Sequence, residues 1–477
     1  MHLNLRLIAF FISIITAFTS WCSASETTPP NIIIFLADDL GYGDLACYGH
    51  PVIKTPHLDR FAQQGMKLTQ CYSASAVCSP SRSAILTGRT PYRNGVFTWI
   101  PENQLPFLRT SEITSAKLLR AKGYDTAHVG KWHLNGYFNN PTHPQPSDHG
   151  FNHWYSTQNN AAPSHKNPNN FVSDGKPVGE LQGFSAELVA DEAIRWLKSG
   201  RDKTKPFFLC VWTHEPHLPI ESDPKFQSPY QNIENPDIRQ HHGNVSQMDD
   251  AFGRLMKSLD ELQLTDSTFV AFTADNGPEG NGANGRTRGS TGGLRGRKRD
   301  VYEGGIRVPG IVRWPGKIQP GSVSGTPVIG SDWFPTVCEI AKTSLPSDRV
   351  IDGGSLLPLL TKSEPVVRSK PLYWRCNIAR TPIKTAMRIG DWKIVATEDL
   401  SRMELYNLKV DIAETTDLSK TNPAKLAEMK SALISLNTEI EAEGPTWWKG
   451  YQESGPNAAK KKEAGKKKSG SKSKVSE

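Results

Sequence analysis

Asn31–Ala37 reads NIIIFLA and runs directly into Asp38-Asp39. An almost unbroken run of β-branched and apolar residues, with no polar alternation, describes a strand covered on both faces, as inside a parallel sheet. Residues 206–213 (PFFLCVWT) and 267–274 (STFVAFTA) repeat the pattern. Helical periodicity lies between them. One segment has Ser185 as its cap, Leu188, Ala190, Ile194 and Leu197 as its stripe and Gly200 as its stop; residues 248–262 place Phe252, Leu255, Met256 and Leu259 on one face. Strands alternating with helices predict an α/β fold, an open sheet with helices on both sides. The three strands end in Asp38-Asp39, His214-Glu215-Pro216-His217 and Asp275-Asn276-Gly277. Ligands of open parallel sheets gather at the carboxyl ends of strands, so these polar groups are expected to share one crevice.

Outward from that body, residues 138–183 are rich in Asn, Pro and His with little periodicity, and predict a long functional or mobile loop. From about Lys370 short strand-like pieces at 384–389 and 392–396 lead to a helix at 424–443. The expected division is a main body over 25–365 and a smaller C-terminal α+β unit over 366–457. At the amino end, Arg6, the apolar run 7–20 and the small residues Ser23, Ala24 and Ser25 predict a signal peptide over 1–24, hence a secreted or periplasmic protein. The run is shorter than the roughly 20 residues that a span needs, and no other segment reaches that length. Trp21 before Cys22 makes a poor lipidation box. Residues 458–477, mostly Lys, Ser, Gly and Ala, predict a disordered tail.

The tail also disposes of an apparent basicity. The chain of 477 residues has 56 Lys plus Arg against 48 Asp plus Glu, a net +8. The tail contributes eight Lys and two Glu and Arg6 one more charge, which leaves +1 for residues 25–457. The body is nearly neutral, and nucleic acid is not an expected partner. Seven Cys in this length exclude a disulfide-stapled scaffold; with Cys22 removed and Cys78 set aside, Cys47, Cys71, Cys210, Cys338 and Cys376 form an odd set with at least one free thiol.

Residues 74–93 read ASAVCSPSRSAILTGRTPYR. Cys78 with Arg82 four residues on is compatible with a low-pKa thiolate nucleophile or with a buried structural Cys. Asp38-Asp39 and Asp275-Asn276-Gly277 are, in isolation, ordinary turn signals. Residues 280–299, rich in Gly and Arg, lack the order of a phosphate-binding P-loop and predict a mobile active-site loop carrying Lys298. His143, His149, His153, His165, His241 and His242 have no ligand-like partner and are expected at the surface or in a substrate groove.

Cys78-Ser79-Pro80-Ser81-Arg82 with Leu86-Thr87-Gly88-Arg89 resembles the signature of the type I sulfatases, within the alkaline phosphatase superfamily. Gly123-Tyr124 with Val129-Gly130-Lys131-Trp132-His133-Leu134 resembles that family's second signature. Asp38-Asp39, Asp275-Asn276-Gly277, Gly296-Arg297-Lys298 with Glu303 to Pro309, and Leu405-Tyr406-Asn407-Leu408 with 411–418 match in order, so the likeness runs from about 30 to 420. Met248-Asp249-Asp250 and Leu372-Tyr373-Trp374-Arg375 loosely resemble the arylsulfatase A and N-acetylgalactosamine-6-sulfatase group.

The resemblance implies an alkaline-phosphatase-like α/β fold, with a large mixed, mostly parallel sheet flanked by helices and a smaller C-terminal α+β domain, and a sulfuric ester hydrolase. It implies that a formylglycine-generating or sulfatase-maturating enzyme oxidises Cys78 to Cα-formylglycine (3-oxoalanine). One hydroxyl of its hydrate would attack sulfur, and the second, on losing its proton to His133, would expel sulfate. Asp38, Asp39, Asp275 and Asn276, with the modified Cys78, would hold Ca²⁺, a hard cation suited to oxygen donors. Arg82, Lys131 and Lys298 would balance charge on the sulfuryl oxygens. Both His214 and His217 satisfy the family's His-x-Pro; spacing to Phe226 favours His217 as the catalytic one, with His214 a neighbouring structural or substrate contact. The expected substrate is a sulfated carbohydrate, with a weak pointer to 6-O-sulfated galactose or N-acetylgalactosamine. The alternatives are a phosphodiesterase or phosphonate monoester hydrolase of the same superfamily, and an inactive sulfoglycan-binding homologue.

Overall fold

The computed structural model describes residues 29–280 and 289–445. The signal segment, the tail, and residues 281–288 of the Gly-rich stretch lie outside the described residues. Asn31–Ala37 is a strand buried along its whole length, near the middle of a ten-stranded sheet. Phe207–Trp212 pairs with it in parallel on one side and Thr268–Ala274 on the other. Asp125–Lys131 and His153–Thr157 continue the parallel core; on the opposite edge Gly310–Arg313 runs antiparallel to both Thr268–Ala274 and Met66–Leu68, and Ser322–Ser324 pairs in parallel with Met66–Leu68, so the sheet is mixed. The lack of polar alternation has its cause here, because helices cover both faces. Phe252 of the helix Pro236–Glu261 meets Phe35 edge-on at 5.2 Å and Phe61 of the helix Pro56–Gln64 at 4.9 Å. Each such side chain contributes about 1.5–3 kcal/mol when fully buried.

Four expectations change. The stretch 138–183 contains the strand His153–Thr157 and the short strands Val172–Ser173 and Lys176–Pro177, all within the large sheet. The helix expected from 248 begins at Pro236, where the Asn235 side chain accepts from the amides of Asp237 and Ile238. Ser185 is not the cap of the helix Ser185–Arg195; Phe184 holds that position, and the Ser185 hydroxyl donates to buried Glu215. The histidines expected at the surface are mostly buried: His143, His149, His165, His241 and His242 all lie inside. Aromatic neighbours replace water there. His149 faces Trp132 at 5.6 Å, and burial pushes its imidazole down to about 3, so it packs as a neutral ring. The six Cys among the described residues are all free, Cys210 included.

A second, antiparallel sheet follows: Leu372–Arg375, Ile383–Ile389, Trp392–Thr397 and Met403–Asn407 in sequential order. Its residues alternate between two apolar layers. Trp374, Ala386, Val395 and Tyr406 pack against Tyr72, Val77, Ala84 and Ile306. Tyr373, Met387, Ile394 and Leu405 pack against Met429, Leu433, Leu436 and Ile440 of the helix Pro423–Glu443. The sheet is therefore pressed onto the segment that carries Cys78. A buried charge network seals the contact. Glu303 accepts from Tyr72 Oη (2.7 Å), Arg307 Nε (2.8 Å) and Lys393 Nζ (2.9 Å), and Lys393 also lies 2.9 Å from Glu414.

Candidate active site

The parallel ladder continues past the strand ends through the amides of Asp38, Thr213, Trp132 and Asp275, which donate to Glu215, Leu36, Thr157 and Ala37. Four strand termini are thus held level, and their next side chains open on one crevice. Asp39 and His133 both adopt a left-handed backbone (φ 62° and 58°), a conformation costing about 1–3 kcal/mol outside glycine and retained where a side chain must be aimed. Gly130 explains part of the second signature: a Cβ there would come within 1.9 Å of the Trp212 carbonyl, so only glycine lets the Lys131 strand lie against its neighbour.

Cys78 opens the helix Cys78–Thr87, after an extended Val77 that offers no side-chain cap. The first amides of a helix favour a negative charge. Cys78 itself is buried, and its Sγ donates to Asp38 Oδ1 over a long 3.6 Å. Burial pushes the thiol pKa up despite Lys131 and Lys298. The unmodified side chain is therefore a protonated thiol, not the low-pKa thiolate that Arg82 made conceivable.

Around Cys78 the charges are buried and paired. Lys131 Nζ donates to Asp38 Oδ2 (2.5 Å). Arg82 donates to Asp275 Oδ2 from Nε and Nη2 (3.0 and 2.7 Å) and to the Lys131 carbonyl from Nη1 (2.8 Å), while its guanidinium lies over the Trp212 ring. Lys298 Nζ bridges Asp39 (2.8 Å) and Glu279 (3.2 Å). Burial opposes ionisation of Asp38, but Lys131, His217, Arg82 and Lys298 outweigh it and hold the carboxyl well below its usual range. Burial pushes Asp39 up to about 6 against the pull of Lys298; burial and then the charge of Asp38 push Asp275 up to about 7.

The histidines separate. His217 Nε2 lies 3.6 Å from Asp39, and potential ligand atoms of Asp38, Asp39, Cys78 and His217 all fall within 4.8 Å of one another. His214 lies outside that group: its Nε2 bonds Thr157 Oγ1 (2.8 Å), with Phe171 and His165 beside it, so it packs as a buried neutral ring. His133 Nε2 faces the Ile100 carbonyl at 3.0 Å. A carbonyl only accepts, so Nε2 carries the proton, and buried Nδ1, which has no partner among the described residues, is left with its lone pair. Burial, with Lys131 and Arg82, keeps that ring neutral.

The residues fit a hard divalent cation. Three carboxylates converge, two of them pushed up, and Asn276 Oδ1 is buried without a hydrogen-bond partner among the described residues while its Nδ2 donates to Asp39 (2.6 Å). An orphaned amide oxygen among carboxylates is an oxygen donor set, which suits Ca²⁺ better than zinc.

Two residues at this crevice carry no signal in the sequence. Glu279, three residues beyond Asn276, joins Lys298 to Arg299 and Arg380. Trp99, partly exposed, lies 6.5 Å from the His133 ring. The segments Met248-Asp249-Asp250 and Leu372 to Arg375 do not line the crevice: buried Asp249 accepts from the amides of His57 and Leu58, and Leu372–Arg375 is an edge strand of the small sheet.

With fold and crevice in view, comparison with known proteins is consistent throughout. The profile of the family described as Sulfatase matches residues 30–343, and that described as N-sulphoglucosamine sulphohydrolase, C-terminal, matches 296–440. Steryl-sulfatase of Mus musculus is 33% identical over 458 residues, covering 76% of this chain and 70% of its own length. N-acetylgalactosamine-6-O-sulfatase of Bacteroides thetaiotaomicron is 30% identical over 495 residues, covering 87% and 94%. The crystal structure of Ps i-CgsB in complex with k-i-k-neocarrahexaose superposes with a TM-score of 0.77 at 26% identity, covering 88% and 94%. The chain belongs to the type I sulfatase family of the alkaline phosphatase-like superfamily, and is a sulfuric ester hydrolase.

Proposed function

We propose that the chain hydrolyses a sulfate ester of a carbohydrate, with 6-O-sulfated N-acetylgalactosamine or galactose as the favoured class, using Cα-formylglycine made from Cys78 and one Ca²⁺ ion. The observation that carries the reading is the seat of Cys78 at a helix N-terminus, among Asp38, Lys131, Arg82 and Lys298, with its thiol protonated. The bacterial relative aligned over 94% of its length is an N-acetylgalactosamine-6-O-sulfatase, and the solved neighbour binds an oligosaccharide. Trp99 offers an exposed indole face to a sugar ring.

When present, formylglycine would supply a hydrated aldehyde as an oxygen nucleophile with an internal exit, and Ca²⁺ held by Asp38, Asp39, Asp275 and Asn276 would supply Lewis-acid polarisation. Lys131, Arg82 and Lys298 place three cations where negative charge builds on the sulfuryl oxygens, in a site too dry for water to screen them. His133, neutral with Nδ1 unprotonated, accepts a proton. His217 Nε2, beside Asp39, would meet the ester as a neutral ring, since burial and Lys298 keep its pKa down and its Nδ1 proton goes to the Leu218 carbonyl. His214 supports the crevice wall through Thr157.

The same reading places the mature chain outside the cytoplasm after loss of residues 1–24, with a body over 25–365, a C-terminal unit over 366–457, a Lys-rich tail over 458–477, and a maturating enzyme as transient partner. No described helix is long and apolar enough to cross a membrane. The test is sulfate release from N-acetylgalactosamine 6-sulfate, set against a steryl sulfate and an aryl phosphate diester, with mass spectrometry of the peptide carrying residue 78. Faster diester cleavage would overturn the sulfatase chemistry, faster steryl sulfate cleavage the carbohydrate. Unmodified Cys78 in protein from its native source would point to an inactive sulfoglycan-binding chain.

A further inference from the structure

The small antiparallel sheet reaches the crevice at one point. Arg380, in the connection between Leu372–Arg375 and Ile383–Ile389, donates from Nη2 to Glu279 Oε1 at 2.7 Å. Arg299 meets the same carboxylate through two longer contacts, at 3.3 and 3.4 Å, and Lys298 Nζ lies 3.2 Å from its other oxygen. Among the described residues, one carboxylate therefore serves three cations. Lys298 has Asp39 as a second partner; the two guanidinium groups share Glu279 and keep further N–H donors. Their side chains are 30% and 43% exposed, against 5% for Lys298, so they form the solvent side of the network.

The distances define a span. Contacts of 3.3 and 2.7 Å to one oxygen hold a nitrogen of Arg299 and one of Arg380 no more than about 6 Å apart. Across the carboxylate, Lys298 Nζ and the Arg380 guanidinium are separated by no more than about 8 Å. That is the spacing between a sulfate ester on one sugar carbon and a second anion elsewhere on the ring or on the next sugar. Arg299 is also held in a left-handed backbone (φ 78°), with its amide bonded to the Ala76 carbonyl at 2.8 Å, two residues before Cys78. A strained non-glycine residue beside a reacting centre is a common mark of functional placement.

We propose that Arg299 and Arg380 form a second anion subsite, which selects substrates carrying a carboxylate or a second sulfate within one sugar unit of the ester that is cleaved. The proposal rests on the sulfated-carbohydrate reading above and narrows it to doubly anionic sugars. Planar guanidinium pairs suit both anions, because each presents a bidentate edge. Glu279 keeps the pair together and aligns Lys298, so it is a positioning residue.

The experiment compares three probes with the wild-type enzyme and Arg380→Ala: N-acetylgalactosamine 6-sulfate, its 4,6-disulfate, and a disaccharide of hexuronate and N-acetylgalactosamine 6-sulfate. The substitution should lower kcat/KM for at least one doubly anionic probe about tenfold relative to the monosulfate, mainly through KM. Arg380→Lys should recover part of that ratio, and rising salt should erode the wild-type preference. Which probe loses selectivity tells sulfate from carboxylate. If the wild type releases no sulfate from any of the three, the carbohydrate reading itself falls. If it cleaves them and Arg380→Ala moves all three alike, or none, the subsite is overturned while the carbohydrate reading stands.

Discussion

Two buried charge networks lie close together in this molecule, and they differ in what they leave unfinished. At the seam between the sheets, Glu303, Arg307, Lys393, Glu414 and Tyr72 bond one another across elements far apart in the chain. Burial opposes Glu303's ionisation, yet Lys393 and Arg307 hold it down to about 2. In the crevice the carboxylates are poorly matched: Asp39 and Asp275 are pushed up to about 6 and 7, and Asn276 Oδ1 and His133 Nδ1 lack partners among the described residues. The seam spends its polar groups on each other, with Glu414 alone pushed up, by burial, to about 7, and it fixes the fold. The crevice holds groups in reserve for something that arrives later.

The comparison can be broken at either end. The largest effect is expected for Cys78→Ala, which should reduce sulfate release beyond about 10⁴-fold while the melting temperature stays close to wild type. Loss of folding instead would mean that Cys78 is a packing residue. Lys393→Met should do the opposite: it removes the cation shared by two buried carboxylates at the seam, for about 3–5 kcal/mol of lost stability by denaturant titration, while the folded fraction keeps its kcat. An unchanged denaturation midpoint would remove the seam's structural role. Adding Ca²⁺ at about 100 times its Kd should stabilise the wild type by about 2.7 kcal/mol in thermal denaturation, and Asp38→Asn should abolish that gain. An equal gain in Asp38→Asn would place the ion elsewhere.

The smallest effect lies away from both networks. Burial of His153 lowers its pKa, but hydrogen bonds to Asp174 (2.8 Å) and Glu192 (2.7 Å) prevail and raise it to about 9. A folded-state pKa above the unfolded one of about 6.5 means stability that is fully present below pH 6.5 and lost as pH rises through 9. His153→Gln should therefore cost about 1–2 kcal/mol at pH 6, allowing for the solvent around Asp174, and close to nothing at pH 10. A penalty independent of pH would assign His153 to packing alone.

What the sequence made legible follows the same divide. Apolar runs ending in acids revealed the central strands and, because parallel strands end level, the meeting of Asp38, Asp39, Asp275 and Asn276. Cys78 was ambiguous from its neighbours, and the resemblance supplied its role. Glu279 and Arg380 were silent because their pairing joins residues 101 positions apart, which no local pattern records. His153–Thr157 hid as a strand because its first residue bonds acids on both sides. His149 and His241 read as surface residues because a buried imidazole depends on aromatic rings brought in by tertiary packing.

The position of the first strand also sets a timetable. Ile34 is flanked by Cys210 and Ala271, so the first described strand to leave the ribosome lacks its second neighbour until more than half the chain is made. At roughly 5–20 residues per second that interval lasts on the order of 10–50 s. Throughout it the helix bearing residue 78, 1% exposed once folded, has no complete central sheet to bury it. The proposed maturating enzyme would have tens of seconds in which residue 78 is open to it, an opening that closes when the last of these strands docks.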